Sequence, residues 1–192
     1  LKFVVGTHHK TGSKFFSKAL KTLKRLTDLR LWLDTKHNQR QLRLPEQWDC
    51  YFQNNCHWRL NLDALDFRGI HSTRNPARLI LSSVRYHLRT DERWAHKPQQ
   101  EFSGLTYAEK LRSLNSLDDQ ICFEIEHVAG RTIRRMLEVN ADPRFLPVDL
   151  DRISSDPEMD DLKTSHRFCG LQRWFALTPG WRPAQPSDLQ PR

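Results

Sequence analysis

The sequence has no apolar run near the ~18 residues that a membrane-spanning helix needs. Its longest apolar stretches, such as Leu79 to Leu81, are core-sized, so no membrane span is expected. Cysteine is scarce: Cys50, Cys56, Cys122 and Cys169 form no CxxC pair. Buried thiols in a reducing compartment are the default reading, with a Cys50–Cys56 bridge as the alternative. Neither these cysteines nor His8-His9 show metal-ligand spacing, and no metal is expected. Internal repeats, hydrolase nucleophile motifs and recognised nucleic-acid motifs are lacking as well, so no nucleic-acid partner is expected. Acidic residues are the minority, 23 against 31 basic, for a net charge of +8. That excess suits polyanionic partners such as nucleotides, acidic glycans or anionic surfaces, although a solvated basic surface gives the same count.

What remains is enough for one globular domain. A chain of 192 residues with 38% hydrophobic and 28% charged residues can bury a core without disulfides or metals. It opens on Leu1 rather than Met, so it is expected to begin inside a longer gene product. Phe3-Val4-Val5 reads as a buried strand ending at Gly6. After a polar loop, Phe15, Phe16, Ala19, Leu20, Leu23 and Leu26 recur at helical spacing, with lysines and Arg25 between them. Leu29 to Leu33 reads as a second strand, Asp34 to Gln47 as a polar loop, and Cys50 to Leu60 as a mixed aromatic stretch. Phe67 to His71 is a further strand. Asn75 then suits a helix N-cap and Pro76 a first helical position, with the helix running to about Leu88.

Arg89 to Phe102 is polar and reads as an excursion or lid. Thr106 with Glu109 makes a capping box, and Asp118 to Leu137 carries a helical face. Phe145 to Val148 is a strand that Pro147 assigns to an edge or strand end. Asp156-Pro157-Glu158 reads as another helix start. Residues 178–192 are a proline-rich irregular tail, and 1–177 form the domain. Strands alternating with helices predict an α/β fold with three layers, a mostly parallel central sheet flanked by helices.

The segment Gly6-Thr7-His8-His9-Lys10-Thr11-Gly12-Ser13-Lys14-Phe15 lies between a buried strand and a helix start. Unpaired N–H groups and the positive end of the helix dipole make such a junction attractive to anions. It is not the GxxxxGK[ST] loop: five residues separate the two glycines, and lysine precedes the second glycine. Lys10-Thr11-Gly12-Ser13 instead resembles the 5′-phosphosulfate loop, K-[ST]-G-[ST], of sulfotransferases that use 3′-phosphoadenosine 5′-phosphosulfate (PAPS). Arg74-Asn75-Pro76 with Ser82 is similar to that family's 3′-phosphate motif, an R-[ND]-P with serine eight residues after the arginine. Val148-Asp149-Leu150 with Ser155-Asp156-Pro157-Glu158 resembles a later stretch of the same family, and the likeness covers roughly Phe3 to Leu171.

The resemblance implies a P-loop-like nucleotide-binding core and sulfuryl transfer from PAPS, as co-substrate, to a hydroxyl or amine of a small-molecule or glycan acceptor. Lys10 would stabilise the leaving oxygen. Thr11, Gly12, Ser13 and Lys14 would hold the 5′-phosphate, Phe15 would pack on adenine, and Arg74 and Ser82 would bind the 3′-phosphate. His57 is the positional candidate for the catalytic base, with His71, Glu124 and Glu126 as alternatives. The sequence departs from the family at Ser13-Lys14, where Thr-Thr or Thr-x is usual. It also lacks the closing R-K-G-x-x-G-x-W loop, reading Trp181-Arg182-Pro183 instead. A catalytically inactive nucleotide- or glycan-binding relative is therefore one alternative, and a small-molecule kinase is another. The expected compartment is the cytoplasm, or the secretory pathway if a leader lies upstream.

Overall fold

The computed structural model describes residues 2–35 and 47–155. They form β1 (Lys2–Gly6), α1 (Ser13–Leu26), β2 (Leu31–Asp34), β3 (Cys50–Gln53), β4 (Phe67–Thr73) and α2 (Pro76–His87). There follow α3 (Tyr107–Ser113), α4 (Leu117–Glu124), α5 (Gly130–Asn140), β5 (Phe145–Asp149) and α6 (Leu150–Ser155). The five strands make one sheet in the order β2-β3-β1-β4-β5. Every pairing is parallel, so the sheet is wholly rather than mostly parallel.

Side chains alternate across this sheet and both faces are covered. Val4, Tyr51, Phe67 and Phe145 join Val139 of α5 on one face. Val5, Phe52 and Ile70 join Phe16 and Leu20 of α1 on the other. This explains why β1 reads as a continuous apolar run, and why β3, inside the mixed aromatic stretch, is buried at every position: a parallel sheet between helices has no solvated face. Each fully buried side chain of this kind contributes about 1.5–3 kcal/mol.

The helix starts follow their local chemistry. Asn75 accepts from the N–H groups of Ala77 and Arg78. Thr106 and Glu109 form both halves of a capping box. A separate start at Ser116, whose hydroxyl oxygen accepts from Asp119 N–H, begins α4. The helical face expected from Asp118 to Leu137 is interrupted by a π-helical turn at Ile125–Ala129 before α5 begins. The stretch expected as an excursion is packed down. It carries 3-10 turns at Arg93–His96 and Gln100–Phe102, and Ala95 and Phe102 join Tyr107, Leu111 and Phe123 in a second core.

β5 is an edge strand, as Pro147 requires, and it runs straight into α6, a helix the sequence reading did not foresee. Cys50, Cys56 and Cys122 are free thiols. No helix among the described residues is long and apolar enough to cross a membrane. The tail from 178, the helix start at Asp156, Cys169 and most of the Asp34–Gln47 loop lie outside the described residues.

Gly69 shows how closely the sheet is packed. A Cβ there would lie 2.5 Å from the Phe145 ring and 2.7 Å from the Val4 carbonyl oxygen, which is backbone and cannot swing away. Gly69→Ala is expected to cost about 1–3 kcal/mol through overpacking, measured as a lower urea midpoint without a change in slope.

Candidate functional site

Parallel register sets the site. Gly6 pairs with His71 on one side and Gln53 on the other, so the loop after β1 emerges beside the ends of β3 and β4. This loop, residues 7–12, is held mostly by its own polar atoms. Thr11 is fully buried. Its Oγ1 accepts from His8 N–H at 2.7 Å and reaches the His8 carbonyl at 3.1 Å. Ser13 Oγ lies 2.8 Å from Thr7 Oγ1 and 3.1 Å from the His8 carbonyl. The Thr11 and Ser13 hydroxyls are thus engaged within the loop.

Strand β4 clamps this loop from outside. The Ser72 hydroxyl donates to the Thr11 carbonyl at 2.6 Å, and Arg74 donates to the Lys10 carbonyl at 3.1 Å. Lys10 and Gly12 both adopt left-handed backbone, with φ of 64° and 87°. Glycine accepts this freely, whereas lysine stores about 1–2 kcal/mol of strain there. A Cβ on Gly12 would also come 2.9 Å from Leu150 of α6. Gly12 caps α1 without a side-chain hydrogen bond, so the first-turn N–H groups of α1 have no side-chain cap.

Beside the loop, an open cleft of about 420 Å³ is lined by Lys10, Arg74, Arg78, Leu81, Ser82, Arg85 and Tyr86. It brings together Lys10, Arg74 and Ser82 of the sequence candidates. Arg78 and Arg85 were missed, although they stand four residues before and three after Ser82 and so share its helical face. Lys10 Nζ lies 4.2 Å from the centre of the Tyr86 ring. Burial, then the neighbouring charges of Arg74 and Lys14, push its pKa below the usual lysine value. Asp151 of α6 is the counter-charge: it accepts from Arg74 Nε at 3.1 Å and lies 3.6 Å from Arg78.

The other candidates lie elsewhere. Lys14 is exposed in the first turn of α1, and Phe15 packs against the core under that helix rather than lining the cleft. His57 is exposed on the β3 side, with Arg135 Nη1 2.8 Å from its Nδ1. Glu124 is fully buried and accepts from Tyr107 at 2.6 Å and from His87 Nδ1 at 2.8 Å. The His9 ring stacks on His87 with centroids 5.0 Å apart, and it meets Tyr86 edge-on at 5.4 Å. Glu126 lies beside His127 at 3.8 Å.

Beneath the loop, His8 and His71 touch through their Nε2 atoms at 2.8 Å, both buried. Cys56, itself at φ 52°, donates its thiol to the Thr7 carbonyl at 3.3 Å. One ligand atom from each of His8, Cys56 and His71 lies within 4.8 Å of the others. Burial, reinforced by the His71 ring and the charge of Arg135, lowers the His8 pKa to about 3, and burial lowers His71 to about 4.

No known protein family matches the chain, and no curated protein or solved structure matches it.

The histidine pair makes stability depend on pH. Both folded-state values lie below the ordinary value near 6.5. The unfolded chain therefore takes up more protons as pH falls toward 4, and stability is lost through that window and fully present above it. Between pH 7 and pH 5 each imidazole is expected to cost about 2 kcal/mol. Urea midpoints should show this fall, and His8→Asn/His71→Asn should remove most of it.

Proposed function

We propose that the chain binds a nucleotide bearing phosphate at both its 5′ and 3′ ends, as PAPS does, and transfers the sulfuryl group to a hydroxyl or amine. The observation that carries this reading is the joint placement of Lys10 and Arg74. They come from loops after two adjacent parallel strands and line one cleft with Arg78, Ser82 and Arg85. The chain leaves β1 toward β2 and β3 and then crosses to β4 on the other side. That is the switch point outside the carboxyl ends of the strands, where α/β sheets take ligands, and it supports a P-loop-like core.

The proposed donor carries about four negative charges, and among the described residues the cleft lining offers four cations and no carboxylate. The lining speaks against a kinase, which needs a carboxylate free to hold magnesium, whereas Asp151 is already engaged by two arginines. In the transfer, the bond from sulfur to the bridging phosphate oxygen breaks and a bond from sulfur to the acceptor oxygen or nitrogen forms. The acceptor proton passes to a base, and 3′-phosphoadenosine 5′-phosphate departs. Lys10 stabilises the charge developing on the leaving oxygen. For the base, His9 replaces His57: it adjoins Lys10 in the chain and packs on the same Tyr86 ring, whereas His57 is turned to Arg135.

Calorimetry with 3′-phosphoadenosine 5′-phosphate tests the binding step. Lys10→Ala, Arg74→Ala and Arg85→Ala are each expected to weaken it about 10–100-fold, the scale of one charge-assisted hydrogen bond. Preference for ATP with magnesium would favour a kinase, and indifference to all nucleotides would leave a basic binding module. With labelled PAPS, His9→Asn is expected to lose transfer while retaining product binding, and His57→Asn to keep both. Binding without transfer in the unsubstituted chain would identify an inactive relative.

A further inference from the structure

Under the loop, three elements converge on a second site that the nucleotide reading does not use. His8 comes from the β1–α1 loop, His71 from β4, and Cys56 from the turn after β3. Their three ligand atoms lie within 4.8 Å of one another, and all three residues are buried. We propose that His8, Cys56 and His71 form a binding site for one thiophilic transition-metal ion of the zinc class, with two imidazole nitrogens and one thiolate as protein ligands.

The donor set is the first argument. Imidazole with thiolate selects zinc and its neighbours over magnesium or calcium, which take oxygen ligands. The Thr7 carbonyl, 3.3 Å from Cys56 Sγ, stands beside the set as an oxygen for a fourth position. The second argument is how little else satisfies these groups. The Nε2 atoms of His8 and His71 meet each other at 2.8 Å, two imidazoles sharing one contact. The second nitrogen of the His71 ring is buried without a partner, and the thiol has one hydrogen bond, to the Thr7 carbonyl. Buried polar atoms are seldom left this way, and a bound ion is one established reason when they are.

The third argument is strain. Cys56 holds a left-handed backbone conformation that side chains other than glycine, asparagine and aspartate seldom adopt. This turns Sγ under β1, where a Cβ on Gly6 would meet it at 2.7 Å. Such strain persists where the surroundings over-determine it, as at ligand clamps. Two adjustments are required. The imidazole nitrogens, at 2.8 Å, must part by a few tenths of an ångström to share an ion with bonds of about 2.0 Å. Burial opposes the Cys56 thiolate and the nearby charge of Arg135 offsets this only in part, so the ion must displace the thiol proton as it binds. The ion would tie β1, β3 and β4 together directly beneath Lys10.

The test uses the full chain, reduced and stripped with chelator, then titrated with Co(II) alone. The expected result is one equivalent bound with a thiolate-to-cobalt charge-transfer band that Zn(II) abolishes. Cys56→Ala should remove the band, and Cys122→Ser, at an exposed thiol, should leave it. His71→Asn should weaken binding more than about 100-fold, beyond what an outer-shell partner costs. Circular dichroism checks that the variants fold. Independently of any variant, zinc-edge X-ray absorption of the loaded chain should count one sulfur and two imidazoles, and its Tm should rise with Zn(II). Absence of the band in the folded chain, its persistence in Cys56→Ala, or a zinc shell without sulfur would overturn the proposal.

Discussion

The site depends on one short hydrogen bond, from the Ser72 hydroxyl to the Thr11 carbonyl at 2.6 Å. Thr11 and Ser72 are both buried, so the contact cannot be replaced by water without reopening the loop. It fixes the loop after β1 against the end of β4. Arg74, two residues beyond Ser72, then reaches the Lys10 carbonyl and sets where that lysine sits. The cleft follows from these two tethers, since α2 must start immediately after Arg74. Its exposed face then presents Arg78, Ser82 and Arg85 toward the loop. One strand end thus determines both the shape of the loop and the origin of the helix opposite it.

Charge is distributed less economically. Lys10, Arg74, Arg78 and Arg85 share one lining, and their mutual repulsion is offset mainly by Asp151. Lys10 responds with a lowered pKa and by resting on the Tyr86 ring, which Glu92 in turn holds through its hydroxyl at 2.7 Å. Local instability of this kind is what the proposed anion would relieve. α6 gains a role from it as well: Leu150 covers Gly12 while Asp151, the next residue, neutralises the arginines.

Local chemistry was the legible part of the sequence. Asn75 before Pro76, and Thr106 before Glu109, announce their helices because each cap is satisfied within four residues. The apolar spacing from Phe15 to Leu26 marks α1 for the same reason. The unread parts depend on register. Cys56 and His71 stand 48 and 63 positions from His8, and nothing in that spacing announces a cluster. Only the pairing of Gly6 with His71 and with Gln53 brings them together. α6 escaped notice because it follows β5 with no turn residue between them. Phe15 was assigned to a base and packs on the core, since an aromatic at helical spacing serves either purpose. Arg78 and Arg85 were readable in principle, being about one and three helical turns beyond Arg74.

A sheet built only of parallel pairings carries a kinetic consequence. Antiparallel strands zip up from a two-residue hairpin, but here every ladder waits for an intervening crossover to be closed. β1 meets its partner β4 across some sixty residues, so the central pairing comes with a large loop-closure penalty before any reward. Non-local order of this kind slows folding to milliseconds or longer and leaves the apolar strands β1 and β3 unpaired meanwhile. The chain's surplus of positive charge keeps such unfinished molecules apart, so the basic character that suits the cleft also guards the route to the native state.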